Sequence, residues 1–232
     1  AAGALDAVLV VGGIADASVR RARQKGVEPP APPTSVWSQG SKGVDHQRVR
    51  QPAWRSSSAE GAAGASLTSA IFALAESALA AGVDPAVHRA RLGEMLAPFA
   101  AAAARRPDLA WFPEVRSAAE ISTVTDDNRL VAEPYTKRMC SFPTVDLAAA
   151  VVVSASRGDG SPEVRPLSLV TAHDPLPPSA RAAIDRSVAL DAAVEEALRL
   201  AGIEQSAIDF FDLYSCFPAA VQLAANALGL TA

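Results

Sequence analysis

Asp209-Phe-Phe-Asp-Leu-Tyr-Ser-Cys-Phe-Pro218 is the stretch on which the reading of this chain turns. The apolar residues of 208–213 predict a strand. Pro218, with its fixed φ and missing N–H, suits the first turn of the Ala-rich helix predicted over 218–228. Tyr214, Ser215 and Cys216 therefore stand at a strand-to-helix corner. A thiol near a helix N-terminus feels the positive end of the dipole, which lowers its pKa and favours reactivity. A cysteine between Ser and Phe, with no His or Lys close in sequence, also reads as a small buried hydrophobe, and the residues leave both readings open.

A second block stands upstream: Asn128-Arg-Leu-Val-Ala-Glu-Pro-Tyr-Thr-Lys-Arg-Met-Cys-Ser141, followed by Val145-Asp-Leu-Ala-Ala-Ala-Val-Val-Val-Ser154. The continuous apolar run of 145–154 is the pattern of a strand inside a covered sheet, and Asp6-Ala-Val-Leu-Val-Val-Gly-Gly13 has the same pattern. A short basic helix is predicted over 15–26, before Glu28-Pro-Pro-Ala-Pro-Pro33 breaks regular structure. The polar stretch 36–64, with Trp37 and Trp54, predicts irregular structure or a lid, and its Trp residues suit a contact surface. Helices follow over 67–81, stopped by Gly82, and over 86–104, introduced by Asp84 as N-cap and Pro85. Residues 117–127 read as a linker, and Arg157-Gly-Asp-Gly-Ser-Pro162 as a turn at a border. Strand, helix, strand and helix are predicted over 164–172, 187–201, 208–213 and 218–228. In the first of these helices Val188, Ala192, Leu198 and Ala201 face inward. This alternation implies a layered α/β architecture.

Composition removes several function classes. With 232 residues, half of them apolar, the chain can bury a sizeable core. A net charge of −4 and no basic run argue against a nucleic-acid surface. The apolar stretches are about half of what a membrane helix requires, and no secretory leader pattern is present, so the cytoplasm is the expected location. Two cysteines exclude a disulfide framework and predict reduced thiols. His46, His88 and His173 lie far from any Cys pair, so no structural zinc site is expected. Gly12-Gly13 does not complete a dinucleotide fingerprint.

Taken together, the two blocks resemble the thiolase superfamily, in particular the actinobacterial thiolase-like proteins related to sterol-carrier-type thiolases and acetyl-CoA acetyltransferases. The resemblance implies an αβαβα sandwich, here incomplete, with an inserted mainly helical loop domain. It divides the chain into the end of an N-terminal half (1–26), a loop domain (27–127), the last strand of that half with its coenzyme A-side loop (128–157) and the start of a C-terminal half (158–232). Tyr214-Ser215-Cys216-Phe217 falls where relatives carry Asn-Glu-Ala-Phe or His-Asp-Cys-Phe, which implies a catalytic role for Tyr214, Ser215 and Cys216 beside an oxyanion. Met139, Cys140, Ser141 and Phe217 are implied to line coenzyme A, and Leu147 stands where the family has Gly. The implied substrates are acyl-CoA and coenzyme A, with no covalently bound cofactor, and the implied assembly is a homo-oligomer or a pairing with another thiolase-fold chain. The family's acylated cysteine and its Gly-His-Pro and Cys-x-Gly-Gly-Gly motifs match nothing in these residues. An acyl-CoA acyltransferase running Claisen condensation or thiolysis is the first expectation, and a non-catalytic acyl-CoA-binding or assembly protein the second.

Overall fold

The structure is a computed structural model that describes residues 6–29, 57–65, 67–155 and 162–230. Trp37, Trp54, His46 and most of the predicted 157–162 turn lie outside these residues. The described residues form two compact units, one from within 1–50 and 142–166, the other from within 51–141 and 167–232. The described residues are mixed α/β, with helices and two small sheets. No helix among the described residues is long and apolar enough to cross a membrane.

In the first unit, β1 (Ala7–Ala15) and β4 (Asp146–Ser154) pair antiparallel, with Ala7 opposite Ser154 and Ala15 opposite Asp146. Val and Ile supply the β-branched side chains that favour the extended backbone. Both strands were predicted as buried, yet Leu9 is 62% exposed and Val152 64%. Apolar residues thus stand on both faces of this ribbon, exposed among the described residues. Helix α1 (Asp16–Gln24) follows β1 directly and is held by Asp146 at the start of β4. That carboxylate accepts from the Ser18 backbone N–H at 2.9 Å and from Ser18 Oγ at 2.8 Å, and pairs with Arg21. The Ser18 amide lies in the first helical turn and has no partner within the helix, so Asp146 caps α1 from a distant strand.

The Ser18 backbone hydrogen bond is the largest influence holding the Asp146 carboxyl below its ordinary range. A carboxyl depressed on folding stabilises the fold above its unfolded pKa, and that contribution disappears as pH falls through the lower folded value. Acid titration is therefore expected to loosen the α1 contact only below the ordinary carboxylate range, as pH falls through the depressed folded value of Asp146. Asp146→Asn is expected to remove that step, as followed by the Ser18 amide resonance.

The second unit holds the buried core. Its helices are α2 (Ser58–Ala62), α3 (Thr68–Leu79), α4 (Pro85–Ala104), α5 (Ala118–Ser122), α6 (Val188–Ala201) and α7 (Pro218–Ala227). Strands β2 (Leu130–Ala132) and β3 (Tyr135–Thr136) form a small hairpin. Ala73, Leu92, Ile121, Tyr135, Met139, Cys216 and Phe217 form the core cluster. Helix α4 starts as the sequence predicts: Asp84 accepts from the amides of Ala86 and Val87, and Pro85 occupies the first turn. Helix α6 is capped by Ser187, and Gly202 ends it at φ 67°, a conformation that suits glycine.

Several expectations are corrected. Helices α2 and α5 occupy segments predicted as irregular and as a linker. Each is nucleated by a reciprocal Ser-x-x-Glu box, Ser57 with Glu60 and Ser117 with Glu120. The segments predicted as strands over 164–172 and 208–213 carry no regular secondary structure and pair with no strand among the described residues. In α6, Val188 is 50% exposed and Ala192 is exposed too, so the predicted inner face is only half buried. His173 is exposed, while its neighbour Asp174 accepts from Ser187 Oγ and the Ala189 amide and so joins the cap of α6.

Candidate functional site

Asn128 builds the first wall of the site. It is fully buried, and its Nδ2 donates to the carbonyls of Glu120, Ile121 and Thr123 at 3.3, 2.9 and 2.9 Å. Its Oδ1 accepts from the Arg138 backbone N–H at 3.0 Å. The end of α5 is thereby tied to the 3-10 turn Lys137–Met139, which follows β3. Thr136 adds a 2.7 Å hydrogen bond from its hydroxyl to the Ile121 carbonyl. Met139 turns into the core, 3% exposed, and the chain then passes through Cys140 to Ser141.

The second wall is the approach to α7, and the two walls meet: the Ser141 backbone N–H donates to the Cys216 carbonyl at 2.9 Å. Cys216 and Phe217 are buried, whereas Tyr214 is 73% exposed and Ser215 is exposed beside it. Phe217 stacks on Phe72 of α3 with ring centroids 4.8 Å apart and lies 5.5 Å from the Tyr135 ring. The structure therefore brings together Met139, Cys140, Ser141, Cys216 and Phe217, and places Tyr214 and Ser215 on the open side of the same corner. A cleft of about 580 Å³, lined among others by Glu60, Ala73, Ser77 and Ser179, lies in the same unit and includes none of these residues.

Of the two readings the sequence leaves open for Cys216, electrostatics favour the buried thiol. Phe217 is the N-cap of α7, so the thiol precedes the helix, and burial pushes its pKa up against the smaller opposing effect of the Tyr214 hydroxyl. Burial likewise pushes the Cys140 thiol up to about 11, with the Arg129 charge pulling the other way. Cys140 Sγ donates to the Thr136 carbonyl at 3.4 Å. Both cysteines are free thiols, and at neutral pH both stay protonated, which makes them wall groups here rather than poised nucleophiles. The Tyr214 hydroxyl is raised by its hydrogen bond to Cys216 and so remains a hydrogen-bond donor.

Beneath the corner lies a polar group that sequence reading missed. Glu76 of α3, fully buried, accepts from His88, Tyr135 and Gln222. Its signal was a lone carboxylate inside the apolar helical run Ile71-Phe-Ala-Leu-Ala-Glu76. Asn128 carried a weaker signal as the first residue of the second block.

No family model matches the chain, and no curated protein matches it. Among solved structures, the chain is similar to a monomeric SCP2-thiolase-like protein type 1 from Mycobacterium smegmatis, at 27% identity and a TM-score of 0.61. The likeness covers 99% of this chain and 43% of that protein, so the chain spans less than half of its length. This similarity, extending over both blocks that meet at the corner, supports a thiolase-like relationship for the chain.

Proposed function

We propose that the Cys140–Ser141 and Tyr214–Phe217 corner is the thioester-facing wall of an acyl-CoA site of thiolase type, serving an acetyl-CoA acetyltransferase that condenses or thiolyses 3-ketoacyl-CoA. The hydrogen bond from the Ser141 amide to the Cys216 carbonyl carries this reading, because it seats side by side the two segments whose residues resemble the family's coenzyme A loop and oxyanion motif. Tyr214 would turn its hydroxyl proton from the Cys216 sulfur to the thioester oxygen as negative charge develops there. Ser141 and Ser215 offer exposed hydroxyls to the pantetheine amides, and Cys216 and Phe217 exclude water behind them. On this reading the described elements belong to an αβαβα sandwich in the cytoplasm. The apolar faces of β1 and β4 favour cover by further thiolase-fold polypeptide, in the same chain or in a partner.

A second reading, an acyl-CoA-binding or assembly protein without turnover, is favoured by the raised pKa of both thiols. One assay separates the two: consumption of acetoacetyl-CoA plus coenzyme A by the full protein, alongside calorimetric binding of acetyl-CoA. The enzyme reading expects turnover that drops by about 10²-fold in Tyr214→Phe, the scale of one lost oxyanion donor. Binding without turnover selects an acyl-CoA-binding protein, and absence of binding overturns both acyl-CoA readings and leaves assembly.

A further inference from the structure

A carboxylate with no exposed surface is expensive to bury, and Glu76 sits in an apolar stretch of α3. It is satisfied from three directions. Oε1 accepts from His88 Nε2 on α4 and from Gln222 Nε2 on α7, each at 2.7 Å, and Oε2 accepts from the Tyr135 hydroxyl at 2.8 Å. That hydroxyl also lies 3.1 Å from the Phe72 carbonyl. Four chain segments thus converge on one carboxyl group.

Two of the three partners lead to the corner described above. Tyr135 packs its ring on Phe217 and precedes Thr136, whose carbonyl receives the Cys140 thiol. Gln222 lies in the second turn of α7, the helix whose N-cap is Phe217. His88 leads away, to the start of α4. Apolar side chains of similar volume fill such a place at no loss of stability in many proteins, so stability alone is a weak reason for a four-way polar hub. Such a hub fixes orientation, because each hydrogen bond is satisfied only in one arrangement of the helices.

We propose that Glu76 is a positioning residue: through Tyr135 and Gln222 it holds the first turn of α7, and with it the Cys216–Phe217 main chain, against Ser141. What the wall binds rests on the acyl-CoA reading; that Glu76 holds it does not.

The test uses the full protein with two readouts at the site. One is the native-state alkylation rate of Cys216 relative to Cys140 by iodoacetamide, resolved by mass spectrometry, and the other is calorimetric binding of acetyl-CoA. Circular dichroism and urea midpoints report folding. Glu76→Gln and Gln222→Met are each expected to raise the Cys216 rate at least about tenfold, the scale of one lost buried charged hydrogen bond expressed as local opening. Both should weaken acetyl-CoA binding by a similar factor. His88→Leu is expected to lower the urea midpoint while leaving the ratio of the two thiols unchanged. The double variant Glu76→Gln with Gln222→Glu restores an amide-to-carboxylate link between α3 and α7, and is expected to restore protection of Cys216. Should Glu76→Gln not fold, Gln222→Met carries the same test. Folded variants with wild-type Cys216 protection overturn the proposal, as does alkylation that rises equally in all three single variants in step with lost stability. If the thiol pattern is as expected while the wild type binds no acetyl-CoA, positioning by Glu76 stands and the acyl-CoA reading falls.

Discussion

Asn128→Asp is expected to lower the stability of the larger unit by about 3–5 kcal/mol, the sum of two buried groups left unsatisfied, the Thr123 carbonyl and the new carboxylate oxygen. The mechanism lies in what Nδ2 faces. Of the three carbonyls that receive it, Ile121 also accepts from Thr136 and Glu120 from Arg138, while Thr123 has Asn128 as its donor. Aspartate puts an oxygen where those carbonyls need a donor, in a place with no exposed surface. Asn128→Ala is expected to cost less, because it leaves the Thr123 carbonyl and the Arg138 amide unpaired without adding repulsion. Urea unfolding of the three proteins checks the order. A midpoint for the aspartate variant equal to that of the wild type would rule out Asn128 as the clamp of the 137–141 segment.

Gly93→Ala is expected to destabilise by about 1–3 kcal/mol, the usual scale of overpacking, even though alanine is about 1 kcal/mol better in a helix interior. A Cβ at position 93 would stand 2.4 Å from the Ala118 carbonyl oxygen and 2.9 Å from Ser122 Cβ. The first of these is main chain, so α4 and α5 would have to move apart, and the Ser122 hydrogen bond to that same carbonyl would move with them. Gly61→Ala in α2 is the control. Its Cβ meets nothing within 4 Å, and the change is expected to be neutral or stabilising by up to about 1 kcal/mol through the unfolded chain. Thermal unfolding of both variants decides the matter, and a stable Gly93→Ala protein would contradict the close crossing of the two helices.

What could be read from the residues alone follows from how local each signal is. The Asp84-Pro85 start of α4 and the Pro218 start of α7 are set by groups within a few positions of one another and appear where the sequence places them, and α6 lies within the predicted 187–201. The boxes Ser57-x-x-Glu60 and Ser117-x-x-Glu120 were equally local but stood in polar surroundings that masked them as loops. Residues 164–172 and 208–213 have strand-like composition, but a strand also needs a ladder partner, and no composition reveals whether one is in place. The same limit applies to β1 and β4, whose apolar runs predict burial that depends on what covers them. Within the site, the family resemblance brought Cys140–Ser141 and Cys216–Phe217 into one reading, and the Ser141 to Cys216 hydrogen bond joins them in space. The two readings of Cys216 stayed open in the sequence because helix proximity is visible there while burial, which raises the thiol pKa, is not. Glu76 was missed because its partners lie 12, 59 and 146 residues away.

The most direct measurement is the location of bound acetyl-CoA on the full protein, read as backbone amide shift changes during titration. Saturable changes centred on residues 139–141 and 214–217, weakened in Tyr214→Phe, are the expected result. Saturable changes elsewhere, with this corner unmoved, would contradict the assignment of the corner to an acyl thioester.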